Sequence, residues 1–162
     1  MLVLGGCGAG KSTLARRLGA RLGLPVVHLD AEYFKPGWVE PDPGRWLERV
    51  TELVEGPTWV MDGSHVATLP IRLARADTVI VLDLPTWVCL WGVLTRIAAG
   101  HGRVRPDSAP GCPERFDLEF ILFTAMFRRN YRPRLLAALG GYVGTTVILR
   151  TRRDVAAFLS SV

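Results

Sequence analysis

Residues 5–13 read GGCGAGKST, directly after the apolar run MLVL and directly before LARRLGARLG, a segment with a helical pattern. No other stretch restricts the fold so tightly. Gly5, Gly10, Lys11 and Ser12 satisfy G-x-x-x-x-G-K-[ST], and a strand before with a helix after is the setting in which that spacing has a physical meaning. Glycines, here Gly5, Gly8 and Gly10, let main-chain N–H groups turn toward one point, where a helix N-terminus adds partial positive charge. The spacing predicts a phosphate-binding loop. Lys11 is placed to reach the terminal phosphates of a nucleoside triphosphate such as ATP, with Thr13 beside it and the Ser12 hydroxyl as a ligand for Mg2+. Lysine is otherwise represented only by Lys35, beside eighteen arginines.

The chain has 162 residues, 49% apolar and 22% charged, which fits one domain spanning 1–162 with a core of its own. The apolar region 78–94 is interrupted by Asp83 and Pro85 and is shorter than the ~20 residues a bilayer crossing needs. With no basic flank or cleavage site before the glycines, the expectation is a cytoplasmic protein, monomeric or homodimeric. Cys7, Cys89 and Cys112 lack C-x-x-C spacing, and His101 with Cys112 supplies too few ligands for zinc. Residues 1–81 carry nine basic and nine acidic side chains, so the whole net charge of +5 lies in the second half. Such an arginine excess permits nucleic-acid binding, which is not favoured here, and equally suits the phosphates of a nucleotide.

Short β-branched runs alternate with longer helical ones, the α/β pattern. Strands are expected at 1–4, 25–28, 58–62, 78–83 and 145–149, and helices at 11–22, 42–55, 86–99, 114–131 and 152–160. Pro133 should end or kink the fourth helix. Residues 31–41 and 100–113 are rich in Pro and Gly and long for connections, as acceptor loops and lids are. An acceptor region over about 31–57 and a lid over 100–113 follow.

In a doubly wound sheet, ligands sit at the carboxyl ends of the strands, so Asp30, Asp62 and Asp83 end strands on the face of the cradle. Asp62 suits a carboxylate that supports Mg2+, and Gly63 follows it where many P-loop ATPases have a glutamate to activate water. Asp30 is the candidate to orient an acceptor or accept its proton, against a turn or capping role. Asp83 reads as a cap for the helix at 86, and His28 as a satisfied core histidine. Trp38 and Lys35 in FKPGW are candidates for acceptor binding, or for a Pro-Gly turn anchored by tryptophan. Phosphoryl transfer needs charge neutralisation, for which Arg96, Arg103, Arg105, Arg128 and Arg132 are available near the lid, with Arg152 near the adenine side. Each is weighed against a plain surface charge. A phosphate-bearing acceptor would draw on Arg45, Arg49, Arg72 and Arg75, and a hydroxyl acceptor on Asp30.

Taken together, GKSTLARRLG, HLDAEYFKPGW, WVMDGSH, IRLARADTVIVLDLP, RVRPDSAPGCPERFDLEF and ILRTRRDVAAFL resemble the adenylate-kinase-like P-loop family of topology modulation proteins, over nearly the whole chain. The resemblance implies a three-layer P-loop NTPase fold like that of nucleoside monophosphate kinases. It carries a five-stranded parallel sheet in the order 2-3-1-4-5, ATP as donor, and a nucleotide or other small molecule as acceptor. Gly63 falls in the Asp-Gly pair that such kinases use near the acceptor. Where the family pattern reads Asp-Gly-Asn-Tyr, this chain has Asp62-Gly63-Ser64-His65. The competing expectations are a nucleotide-switched regulator linked to DNA topology and a slow NTPase.

Overall fold

A computed structural model describes residues 1–162. Five strands, β1 (Leu2–Gly5), β2 (Val26–His28), β3 (Val60–Asp62), β4 (Thr78–Leu82) and β5 (Thr145–Leu149), form one parallel sheet in the order β2-β3-β1-β4-β5. Parallel neighbours need crossovers, and helices supply them on both faces: α1 (Lys11–Leu22), α2 (Leu29–Tyr33), α3 (Pro43–Val54), α4 (Leu69–Arg75), α5 (Thr86–Gly100), α6 (Leu118–Asn130), α7 (Arg132–Leu139) and α8 (Arg152–Ser161). This is the expected three-layer α/β architecture and strand order.

Alternation along the strands sorts the core into two layers. Leu2, Leu4, Met61, Val79 and Val81 face one side, where Trp46 and Val50 of α3, Leu69 of α4 and Leu135 of α7 cover them. Val3, Val60, Ile80 and Leu82 face the other, against Leu14 and Leu18 of α1, Cys89 of α5 and Leu159 of α8. β1 lies in the middle with all four residues buried. The loop that follows it therefore opens at the centre of the sheet's carboxyl edge.

Local chemistry sets most helix ends. Asp42 accepts from the N–H groups of Gly44 and Arg45, and Pro43 occupies the first turn of α3. Thr151 and Asp154 form a reciprocal capping box on α8. Three helices were not expected from the sequence: α2, α4 and α7. The fourth expected helix starts at Leu118 rather than 114, because the main chain of Glu114 bonds across to Arg103 and Gly102. Pro133 ends α6 as foreseen and also opens α7, in whose first turn a missing N–H costs nothing.

Ile80 is fully buried at the centre of β4, whereas Ile148 on the edge strand β5 is 38% exposed. Ile80→Ala should lower the unfolding free energy by about 2–5 kcal/mol, and Ile148→Ala by much less. Urea denaturation of the two variants beside the parent protein checks this ordering.

Candidate active site

The loop between β1 and α1 is held in shape by glycine. Gly5, Gly8 and Gly10 have φ of 140°, 72° and 95°. At Gly8 a methyl group would run into the carbonyl of Cys89 and into Val93, and one at Gly92 would meet the carbonyl of Gly8. Loop and α5 therefore touch backbone to backbone. Lys11 Nζ donates to the Gly6 carbonyl at 3.0 Å, which lays its ammonium along the loop. Ser12, in the first turn of α1, donates through Oγ to Asp62 Oδ2 at 2.7 Å. Two residues fifty positions apart thus meet at the mouth of the loop. Thr13 is exposed one position further on. Arg152 Nη1 donates to the Ala9 carbonyl at 3.1 Å, bringing the start of α8 over the same loop. Ser64 both accepts from the N–H of Gly5 (3.1 Å) and donates to its carbonyl (2.7 Å), which ties down the end of β1.

Beside the loop stand two carboxylate–imidazole pairs. His28 is opposite Asp62 in the β2–β3 register, and its Nδ1 lies 2.5 Å from Asp62 Oδ1. The hydrogen bond to Asp62 pushes the imidazole pKa up and outweighs burial, which acts the other way. His28 is thus satisfied, as expected, by Asp62, and stands half-buried beside the candidate site. Asp30 lies in the first turn of α2, with its Oδ1 3.0 Å from His65 Nε2. The His65 ring packs 4.7 Å from Tyr33 and 5.3 Å from Trp46, between centroids, which fixes its orientation. Surrounding protein would raise the Asp30 carboxyl, but the hydrogen bond and charge of His65, with Lys11 and Arg105, hold it below the ordinary carboxylate range.

Arg72 is not at an acceptor site, contrary to the expectation from sequence. Its side chain is completely buried, donating to the carbonyls of Gly63 (2.9 Å), Ser64 (3.3 Å) and His65 (2.7 Å). Burial pushes its pKa down to about 9. It braces the chain that carries Ser64 and His65. Gly63, at φ 130°, packs where a Cβ would strike Leu29, so its place is set by the backbone.

The two long loops expected to be acceptor region and lid are clasped to each other through residues 35–38 and 111–113. The N–H of Gly37 donates to the Gly111 carbonyl (2.9 Å), Trp38 Nε1 to the Pro113 carbonyl (3.0 Å), and Cys112 Sγ to the Lys35 carbonyl (3.2 Å). Of the two readings of Trp38, this geometry is that of an anchor: its indole N–H is committed and its ring packs on Phe34. Trp38 is also the one non-glycine residue with positive φ, 65°. Lys35 itself is exposed.

The arginines divide. Arg96 and Arg105 both pair with the buried Glu114, at 3.2 Å and 2.5 Å, and Arg105 also with Asp107 at 2.7 Å. Burial raises the Asp107 carboxyl, but the charge of Arg105 beside it outweighs burial. Arg132 makes a two-pronged bond to Asp83, 2.7 and 2.8 Å, in a pocket that Gly6, Thr86, Phe127 and Arg128 also line. Asp83 therefore does not cap α5, which begins without a side-chain cap. Arg128 reaches the Leu84 carbonyl at 3.4 Å, and Arg103 is exposed on the lid. His65, Ser64 and Asp107 also lie beside the loop: from the sequence Ser64 and His65 stood out only as a departure from the family pattern, and Asp107 not at all. Only the register of His28 with Asp62 had a signal in the sequence, namely two polar residues at equivalent strand ends.

No family model matches the chain, and no curated protein matches it in sequence. Solved structures do. A shikimate kinase from Acinetobacter baumannii in complex with shikimate aligns with 99% of this chain and 88% of its own, with a TM-score of 0.59 and 18% identity. A gluconokinase from Sinorhizobium meliloti 1021 aligns over 99% and 90%, with a TM-score of 0.56 and 17% identity. A shikimate kinase from Bacteroides thetaiotaomicron aligns over 99% and 93%, with a TM-score of 0.55 and 16% identity. At such identities the likeness establishes the fold, that of the small P-loop kinases. No helix is long and apolar enough to cross a membrane.

Two outcomes follow from these contacts. The Arg132 hydrogen bond holds the Asp83 carboxyl below its ordinary 3.8. A depressed carboxyl contributes stability above that value and loses it as pH falls through the folded one, so Asp83→Asn should cost about 1–3 kcal/mol near neutrality. The deficit should shrink as the pH is taken below ~4, measured by urea unfolding across the range. Trp38→Phe keeps the ring and removes the indole N–H, so hydrogen exchange at the Gly37 amide should quicken about three- to tenfold.

Proposed function

We propose that the protein is an ATP- and Mg2+-dependent phosphotransferase of the P-loop kinase type, acting on a small-molecule or nucleotide acceptor. The observation that carries this reading is the 2.7 Å hydrogen bond from Ser12, beside Lys11 and the glycine loop, to Asp62 at the end of the neighbouring strand. A hydroxyl and a carboxylate at the start of a phosphate-sized loop form an oxygen donor set. That chemistry suits Mg2+, which takes few protein ligands and completes its shell with water and phosphate oxygens. Gly5, Gly8 and Gly10, at positive φ, give the loop the turned backbone that lets amides face one point, and Lys11 lies along it. The group therefore fits the residues present.

In this reading the amides after Gly5, Gly8 and Gly10, with Lys11 and Thr13, bind the phosphates, and Ser12 and Asp62 hold the metal. The bound Mg–ATP supplies an electrophilic terminal phosphoryl group whose charge is already partly neutralised. Arg96 and Arg152 border the nucleotide, while Arg103 and Arg128, beside Arg132 held in place on Asp83, supply positive charge toward the moving phosphoryl group. Asp30 orients the acceptor, Gly63 shapes the floor beside it, and Lys35 lies at its rim. The clasped lid excludes water, which separates a kinase from an NTPase. Kinases acting on small molecules among the solved structures of this fold support the reading. Within such kinases we place the chain nearest the topology modulation group, on its KPGW and GCPE to DLEF stretches.

Lys11→Ala should weaken ATP binding by at least about tenfold, the worth of one charge-assisted phosphate contact. Isothermal titration calorimetry with Mg–ATP, parent against variant, reads this directly. Equal affinities would end the assignment.

A further inference from the structure

We propose that the acceptor is an uncharged hydroxyl compound, such as a polyol, an unphosphorylated sugar or a nucleoside, positioned by Asp30, and not a phosphate- or carboxylate-bearing one. The inference rests on the kinase reading above and names the substrate class of that site.

It begins with the state of the carboxylate. Asp30 Oδ1 is held by His65 at 3.0 Å, and the side chain retains 54% of its exposure, so Oδ2 is free to meet a ligand. The imidazole that holds it is itself locked between Tyr33 and Trp46. A fixed anion with one free oxygen accepts a hydroxyl proton well, and repels a second anion at the same place.

The guanidinium groups that could reverse that repulsion are already committed. Arg49 pairs with Glu32 at 2.8 Å and Glu52 at 2.9 Å. Arg72 is buried on three carbonyls. Arg105 and Arg96 share Glu114, and Arg132 is bonded through two nitrogens to Asp83. Recognition of a phosphate or carboxylate calls for such a fork. Drawing one away would leave Glu114, at 3% exposure, or Asp83, at 8%, as a buried charge with a partner removed, which is strongly unfavourable. Of the other cations, Lys11 lies on the Gly6 carbonyl, and Lys35, Arg16, Arg45, Arg103 and Arg128 are exposed, where an ion pair gains little over water. The side chains that follow Asp30 are instead aromatic: Tyr33 and Phe34 make an edge contact at 4.9 Å, Trp38 joins them through Phe34, and Trp46, a core residue, backs Tyr33. Rings of this kind pack against the carbon skeleton of a neutral molecule.

The reaction balances without a further reactant. The acceptor hydroxyl oxygen forms a bond to the terminal phosphorus of ATP, and the bond from that phosphorus to its bridging oxygen breaks, with the electron pair leaving on ADP. The hydroxyl proton passes to the Asp30 carboxylate and from there to water.

The test incubates the full chain with Mg–ATP labelled at the terminal phosphate and three sets of acceptors. These are neutral (polyols, free sugars, nucleosides), carboxylate-bearing (gluconate, shikimate) and phosphate-bearing (nucleoside monophosphates, sugar phosphates). The expected result is transfer to a neutral member with kcat/KM at least about 100-fold above any anionic one. Asp30→Asn and Asp30→Glu should each lower kcat for that acceptor, the first by about 100-fold or more, while the calorimetric Kd for ATP stays within about twofold. Retention of the parent melting transition shows that these variants are folded. Transfer to an anionic acceptor that is faster, or the failure of every neutral compound to be phosphorylated while ATP binds through Lys11, overturns the inference. Loss of Lys11-dependent ATP binding is a different outcome and removes the kinase reading itself.

Discussion

The main chain of the phosphate-sized loop rests on the main chain of α5, Gly8 against Cys89 and Gly92, and the rest of the site is arranged around that contact. Neither glycine can carry a side chain without pushing the two backbones apart. Close approach here puts the loop at a fixed height above β1, the central strand, so that Ser12 meets Asp62 from β3 on one side while Leu82 and Asp83 stand on the other. It also ties the glycine loop to the segment at 100–113, because α5 runs from this contact to Gly100 and bears Arg96 near its far end. Both segments are positioned by one piece of packing.

How far the sequence could be read depended on the range over which each signal acts. The five strands are continuous apolar runs and the glycine loop is nine consecutive residues, so both were legible locally. α4 was not, because it has seven residues and its most deeply buried side chain is an arginine, which no apolar pattern marks. The same residue explains the error at Arg72: a charged side chain was read as a ligand contact when its partners are carbonyls seven to nine residues upstream. Asp83 was read as a cap because the helix at 86 was visible, whereas Arg132 lies forty-nine positions away. His65 was passed over for a like reason, since its partner Asp30 is thirty-five positions distant and only the β2–β3 pairing brings them together.

The charge balance takes on a different meaning once the pairs are seen. The second half of the chain holds the whole basic excess, yet Arg96, Arg105, Arg115 and Arg132 face Glu114, Asp107, Asp117 and Asp83. Arg96, Arg105 and Arg132 are thereby tied to buried carboxylates under the loop at 100–113 and beside β4. Arg103, Arg115, Arg128, Arg129, Arg134, Arg150, Arg152 and Arg153 remain exposed. Pairing of this kind fixes where guanidinium groups sit before any ligand arrives, which is the economy of a preorganised site.

Trp38 holds a left-handed backbone that a bulky residue adopts only at a cost of about 1–3 kcal/mol. Its indole bond to Pro113, with the bonds of Gly37 and Cys112, stitches two segments that are more than sixty positions apart in the chain. Segments sewn together in this manner cannot shift separately without breaking those three bonds. A disturbance at residues 111–113 is therefore felt at residues 35–38, although neither stretch belongs to the sheet or to a helix.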